Sequence, residues 1–389
     1  MPIDTMVTTI FVIFVGAAIL ATLALFTKQS LLVAYLALGV IVGPWGLRWI
    51  DNPKLVTEAG EVGIIFLLFL LGLHMNPRNL IQMLRKMTIV GLGSSLIFFG
   101  LGFLVSRLSG FSGIESVVTG AAMMFSSTII GLKLMPTKVL HHQHTGELMV
   151  GALLFQDIIA IFVLLALKSA TAESQVWLHV GKTLVSLPLM IIMAFVCERY
   201  LLSPLLKRFE SIKEYQFIVA IAWCLVLTEA GTLVGLPEEV GAFIAGIALA
   251  SCPVSLFIAD ALQPLRDFFL VIFFFAIGAT FNLGYFPQVW MPAVVLAAVM
   301  LLAKPITFRC LLHRISETKK MSWEVGNRLG QSSEFSLLVA YMASSKMLVS
   351  DATSYFIQAA TIITFIVSSY WVVLRYETPV TTDNRLHRE

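Results

Sequence analysis

From about residue 7 to about residue 375 the chain repeats one pattern, a run of some twenty apolar residues followed by a short polar stretch. The runs are continuous Leu, Ile, Val, Ala and Phe, long enough for a helix to cross a bilayer. A transmembrane β-barrel would instead show alternating segments of about ten residues. About thirteen spans can be placed, centred near residues 16, 39, 65, 97, 124, 158, 188, 223, 246, 272, 300, 333 and 363.

Spans five and twelve each carry a cluster of small polar residues at their middle. Span five reads FSSTIIG from Phe125, and span twelve reads LGQSSEFS from Leu329. Ser, Thr and Gly at mid-span can bond freed backbone groups, so both helices are expected to break there and expose half-helix ends able to hold ions. The two stretches also correspond. Ser126, Ser127 and Thr128 fall on Ser332, Ser333 and Glu334 at an offset of about 206 residues, which also carries the FLLG motif ending at Gly72 onto the FAIG motif ending at Gly278. An odd number of spans separates equivalent positions, so the expected fold is all-α, with two inverted six-helix repeats. Repeat one covers about 7–170, a linker helix about 178–199 and repeat two about 214–375, all within a transmembrane domain 1–375 followed by a short cytoplasmic tail 376–389.

Composition narrows the class. Of 389 residues 58% are hydrophobic and 13% charged, against about 25% charged in soluble proteins. Loops after even-numbered spans hold roughly a third as many Lys and Arg as loops after odd-numbered ones, so the N-terminus is expected outside and the C-terminus in the cytoplasm. A bacterial inner (plasma) membrane is the expected location. The start, MPIDTMVTTIF, has no basic n-region, so the first span is expected to remain in the mature protein. The net charge is +3, and no basic run falls outside short loops, which argues against nucleic acid as a partner. Cys197, Cys224, Cys252 and Cys310 have neither metal-like nor disulfide-like spacing. No Walker, Rossmann, CxxC or HExxH motif is present, against primary pumping, bound nucleotide and protease chemistry; a transporter rather than an enzyme is expected.

Asp157 is the chemical centre of the reading. It follows Gln156 inside the apolar run GALLFQDIIAIF, where a charged carboxylate costs about 2.5–3.5 kcal/mol even on the lenient insertion scale. Such a group must face a water-filled cavity or a partner. Lys304, in AVMLLAKPITF of span eleven, is read as the charge partner that meets Asp157 when no cation is bound. An arriving alkali cation would replace the ammonium and a proton would leave, coupling two fluxes through one carboxylate. Gln156 would supply a neutral carbonyl oxygen, leaving one titrating acid and an electroneutral cycle. Glu334 could cap a half-helix or help shape the site. Glu61 and Glu229 read as packing or interface residues, and His141, His142 and His144 as a solvated loop.

Those residues bring out a resemblance. YLALGVIVGPWGL (35–47), EVGIIFLLFLLGLHMNP (61–77), FSSTIIGLKL (125–134), LLFQDIIAI (153–161), VGAFIAGIALA (240–250), FFFAIGATFNL (273–283) and LGQSSEFSLLVA (329–340) together resemble the cation/proton antiporter family 2, in particular its Kef-type potassium efflux branch. The resemblance implies a homodimer of thirteen-span protomers in which two crossed, unwound helices move by an elevator. It implies no covalent cofactor, and potassium, or else sodium, exchanged for protons. Asp157 would be the carrier, with Gln156, Ser126, Ser127 and Thr128 nearby, Lys304 the span-eleven lysine, and Ser332, Ser333 and Glu334 in the second broken helix. Kef-type chains continue into a cytoplasmic nucleotide-binding domain. Here fourteen residues, 376–389, follow Arg375, so a regulatory domain or subunit, and gating by glutathione adducts, would have to come from outside this sequence. The alternatives are a sodium/proton antiporter of the same fold and a ligand-gated potassium efflux channel.

Overall fold

A computed structural model describes residues 6–27, 29–50, 54–73, 77–134, 144–169, 176–236, 238–315, 317–376 and 378. The histidine-bearing loop up to 143, Lys28, Lys138 and the tail 379–389 lie outside the described residues. In chain order the helices are α1 (Met6–Phe26), α2 (Leu31–Val42), α3 (Lys54–Leu73), α4 (Pro77–Leu108), α5 (Gly113–Met123), α6 (Thr128–Lys133), α7 (His144–Ser169) and α8 (Val176–Cys197). A π-helical turn, Glu198–Leu202, carries α8 into α9 (Ser203–Arg208). There follow α10 (Lys213–Leu233), α11 (Glu238–Leu249), α12 (Ser255–Thr280), α13 (Phe286–Arg314), α14 (Lys319–Arg328), α15 (Glu334–Ser345) and α16 (Asp351–Arg375). No strand occurs among the described residues.

Every expected span centre falls in a helix except 124 and 333, which fall in the two expected breaks. Seven helices among the described residues are long and apolar enough to cross a membrane unaided. Two of the expected spans are short or interrupted for identifiable reasons. The 12 residues of α2 rise only about 18 Å, and span five is split into α5 and α6.

The chain divides into two compact units. Unit 1 holds Met1–Trp49, Met83–Val163 and Gly278–Glu389; unit 2 holds Ile50–Gln82 and Leu164–Ile277. In unit 2, α3 packs on α11 and α11 on α10 and α8. The contact with α3 runs through glycines: a Cβ on Gly246 would lie 2.1 Å from the Phe69 oxygen, and one on Gly72 would lie 2.5 Å from the Phe243 oxygen. Backbones this close are the usual way helices associate in lipid, where dispersion replaces the hydrophobic effect.

In unit 1, α13 packs against α14 and α16, α15 against α16 and α5, and α1 against α2. Gly278, the repeat counterpart of Gly72, is likewise pressed on a backbone, with a Cβ there 2.1 Å from the Leu36 oxygen of α2. Span three thus meets span nine as span ten meets span two, a matching exchange of partners between the two repeats.

The helix ends are written into the sequence. Ser112 and Glu115 form a capping box at α5, and Ser30, Thr318, Ser333 and Ser350 cap α2, α14, α15 and α16. Glu115 does more than close its own helix. Its carboxylate also accepts from the Ser350 backbone N–H at 3.2 Å and the Thr353 hydroxyl at 2.7 Å, pinning the start of α5 to the start of α16.

Candidate functional site

The two breaks lie together inside unit 1. Between α5 and α6 residues 124–127 leave the helix, and between α14 and α15 residues 329–333 do the same. Side chains stitch the two broken spans together: Ser126 Oγ donates to the Leu329 oxygen at 2.9 Å and Gln331 Nε2 to the Ser127 oxygen at 3.4 Å across the unwound segments, and Ser336 Oγ of α15 donates to the Ala122 oxygen of α5 at 2.6 Å. Ser127 Oγ accepts from the Ile130 N–H at 3.1 Å, capping α6, and Ser333 Oγ accepts from the Phe335 N–H at 3.1 Å, capping α15. The serine-rich motifs are therefore the chemistry that a broken helix needs, because each freed N–H or C=O must find a partner away from water.

Each break is also held by the span that follows it. The Ser126 N–H donates to Gln156 Oε1 at 2.9 Å, and the Ser332 N–H donates to Thr364 Oγ1 at 3.0 Å. Ser126 and Ser332 are repeat counterparts, and Gln156 and Thr364 belong to the sixth span of their respective repeats. This corrects the expected role of Gln156. Its carbonyl oxygen is committed to the backbone of the first break rather than offered to a cation, and its buried Nε2 makes no hydrogen bond.

Lys304 is corrected too. Its ammonium donates to the Phe125 oxygen, and to the Gln331 oxygen at 3.1 Å, one carbonyl from each break. Phe125 and Gln331 are again repeat counterparts, so a single lysine sits at the crossing and serves both unwound strands. Its Nζ also lies 5.1 Å from the Phe98 ring centroid, within cation–π range. No ion pair joins Lys304 to Asp157 in this structure. The physical reason is that two carbonyls, stripped of helical partners and aimed at one point, already supply a buried ammonium with two strong acceptors.

Asp157 is fully buried in α7. Its partner is Thr128, the first residue of α6, whose Oγ1 donates to Oδ1 and Oδ2 at 3.3 and 3.2 Å. Glu334, the first residue of α15, is buried as well. Thr128 and Glu334 occupy equivalent positions in the two repeats, each opening a second half-helix. The symmetry of the scaffold thus ends at chemistry: a hydroxyl on one side, an acid on the other.

Of the expected site residues, Asp157 and Thr128 come together directly, and Glu334 is buried at the position in repeat two equivalent to Thr128. Gln156, Ser126, Ser127, Ser332, Ser333 and Lys304 build the frame around them. Glu61 and Glu229 are exposed residues of unit 2.

Two contributors went unanticipated. Gln331 bridges the break to α16, accepting from Ser368 Oγ at 3.0 Å. Arg328, buried at the end of α14, donates to the Leu134 oxygen just beyond α6 at 3.0 Å and pairs with Glu324 at 3.1 Å. A position one turn before a predicted break was the signal that could have singled out Arg328.

Comparison with known proteins agrees with this architecture. The solved sodium proton antiporter MjNhaP1 of Methanocaldococcus jannaschii at pH 8 superposes with a TM-score of 0.73 at 16% identity, over 95% of this chain and 98% of that one. A second structure of the same antiporter, from an electron-microscopy map, gives a TM-score of 0.60 at 16% identity, over 96% and 94% of the two chains. At that identity the likeness establishes the fold. Residues 10–374 match the family described as "Sodium/hydrogen exchanger, transmembrane", and the chain belongs to that family of multi-pass membrane transporters.

Proposed function

We propose that the protein exchanges a monovalent cation for a proton, with Asp157 as the group that each occupies in turn. The observation that carries this reading is the setting of Asp157. It is a fully buried carboxylate with a hydroxyl donor and no basic side chain in ion-pair contact. A buried carboxylate needs a compensating positive charge, which a proton or a dehydrated alkali ion can supply. Competition for that place couples the two fluxes without phosphate chemistry. Thr128 would lend its hydroxyl oxygen to the cation and its hydrogen to the empty carboxylate. Lys304, Gln156 and the serines keep the breaks open while the occupant changes.

Potassium is the cation that the Gln-Asp motif favours, through its likeness to the Kef-type branch. Sodium is the second reading, favoured by the family description and by the sodium proton antiporter of similar fold. The two differ only in the dehydrated ion that the site prefers. Exposure of the buried carboxylate to each side in turn requires a conformational change, for which an elevator motion within a homodimer is our reading. The distribution of Lys and Arg supports an outward N-terminus in a plasma membrane.

Proteoliposomes with an internal pH dye, given potassium, sodium and lithium in turn, test the whole proposal. Cation-driven pH change is expected from the native protein and its loss from Asp157→Asn, with the folded fraction unchanged in size-exclusion profiles. Undiminished exchange by Asp157→Asn would remove the carboxylate from its role, and current without proton movement would favour a channel.

A further inference from the structure

Away from the exchange site, unit 1 contains a cleft of about 1000 Å³ between α13, α14 and α16. We propose that it binds an anionic phospholipid. That volume stands at the top of the range of about 300–1,000 Å³ common for small-molecule sites. Two features of the cleft select a lipid.

The first is depth. Leu302 and Ile306 of α13 line the cleft and are 68% and 51% exposed. Leu302 lies twelve residues before Arg314, about 18 Å along the helix from its end at 1.5 Å per residue. The apolar wall therefore reaches hydrocarbon depth, where a bilayer molecule enters sideways and a water-soluble ligand does not.

The second is charge. Lys320 and Arg375 stand on the lining at the ends of α14 and α16, where the two helices meet the interface. The acid on the lining, Glu324, is already paired with Arg328 at 3.1 Å, so the cleft presents an excess of positive charge. Trp371, also on the lining, lies under the Arg375 guanidinium at 5.6 Å, an aromatic and basic pairing of the kind that anchors proteins at headgroup level. An anionic headgroup would take Lys320 and Arg375 while its acyl chain lies against Leu302 and Ile306.

Occupancy bears on the second break. Gly330 and Ser368 also line the cleft, next to Gln331, whose carbonyl holds Lys304 and whose side chain bonds Ser368. A lipid seated there would brace the unwound segment from its lipid-facing side.

The test is binding of phosphatidylglycerol and phosphatidylcholine to the purified, delipidated protein, read by native mass spectrometry and by thermal stabilisation. Phosphatidylglycerol is expected to bind tighter and to stabilise more. The double variant Lys320→Ala, Arg375→Ala is expected to lose about 30-fold in phosphatidylglycerol affinity, some five-fold for each basic side chain, with phosphatidylcholine unaffected. Ile306→Trp, which fills the apolar part and leaves the charges, is expected to weaken both lipids. Equal binding of the two lipids by the native protein, or unchanged phosphatidylglycerol affinity in both variants, would overturn the assignment. So would effective competition by water-soluble glycerol phosphate, or a large gain in lipid binding on removing residues 379–389, which would make that segment the occupant.

Discussion

Lys304 offers the sharpest test of how the site is built, because an ion pair with Asp157 and an anchor on two backbone carbonyls predict different energetics. Consider Lys304→Met, which keeps most of the side-chain volume and removes the ammonium. Two charge-assisted hydrogen bonds, to Phe125 and Gln331, are lost, at about 1.5–3 kcal/mol each, or about 3–6 kcal/mol together. Against this, the fold no longer buries an ammonium, which offsets several kcal/mol. The net change is a difference between terms of similar size, so its sign alone decides nothing. Its coupling to Asp157 does. In a double-mutant cycle with Asp157→Asn, measured by unfolding in mixed micelles, groups not in contact should couple by less than about 0.5 kcal/mol. Removing the carboxylate should therefore fail to rescue Lys304→Met. Hydrogen exchange should instead rise at 124–127 and 329–333 together, since one side chain serves both segments. A coupling above about 1.5 kcal/mol, with Asp157→Asn restoring the stability of Lys304→Met, would refute the carbonyl anchor and restore the ion pair.

Gln156→Leu should cost about 1–3 kcal/mol by orphaning the buried Ser126 N–H, whereas Gln156→Glu keeps an acceptor and should melt nearer the native temperature; equal melting of the two would argue against this bond. Gly246→Ala should destabilise unit 2 by about 1–3 kcal/mol, because its Cβ would lie 2.1 Å from the Phe69 oxygen, and an unchanged denaturation midpoint would contradict the tight crossing of α3 and α11. Glu115→Ala removes the acceptor shared by Ser112, Ser350 and Thr353, and should raise amide exchange at the first turns of both α5 and α16 by about ten-fold. Exchange raised at α5 alone would show that the carboxylate caps only its own helix. Glu334→Gln should alter the cation dependence of exchange in proteoliposomes while leaving the breaks folded, since Ser333 and not Glu334 caps α15; identical cation dependence would remove Glu334 from the site.

Much of this molecule could be read along the chain. The spans follow from apolar run length, and the breaks at 124–127 and 329–333 from serines where a membrane helix has no other use for them. The repeat followed from two short matches at one offset, and the glycines at 72 and 278 then turned up in equivalent backbone contacts. What failed was the assignment of partners. Side-chain complementarity alone points Gln156 to a cation and Lys304 to Asp157. Backbone carbonyls and amides released by a broken helix are invisible to a count of side-chain charges, yet they are the strongest unmet hydrogen-bonding groups in the bilayer and claim the nearest polar side chain. Arg328 was overlooked for the same reason, since its acceptor is the backbone beyond α6.

The sequence by itself determined that the chain crosses a membrane many times in two inverted halves, that two helices break, and that one carboxylate is buried at Asp157. Those are consequences of hydropathy, local backbone chemistry and the cost of charge in hydrocarbon, all of which act within a span. Only the tertiary structure decided that Lys304 stands at the crossing of the breaks, that Gln156 and Thr364 hold them in equivalent ways, and that Thr128 is the hydroxyl donor to Asp157. Such contacts join residues some 30 to 200 positions apart and depend on how helices cross, a geometry set by packing against neighbours and not by any one span's sequence.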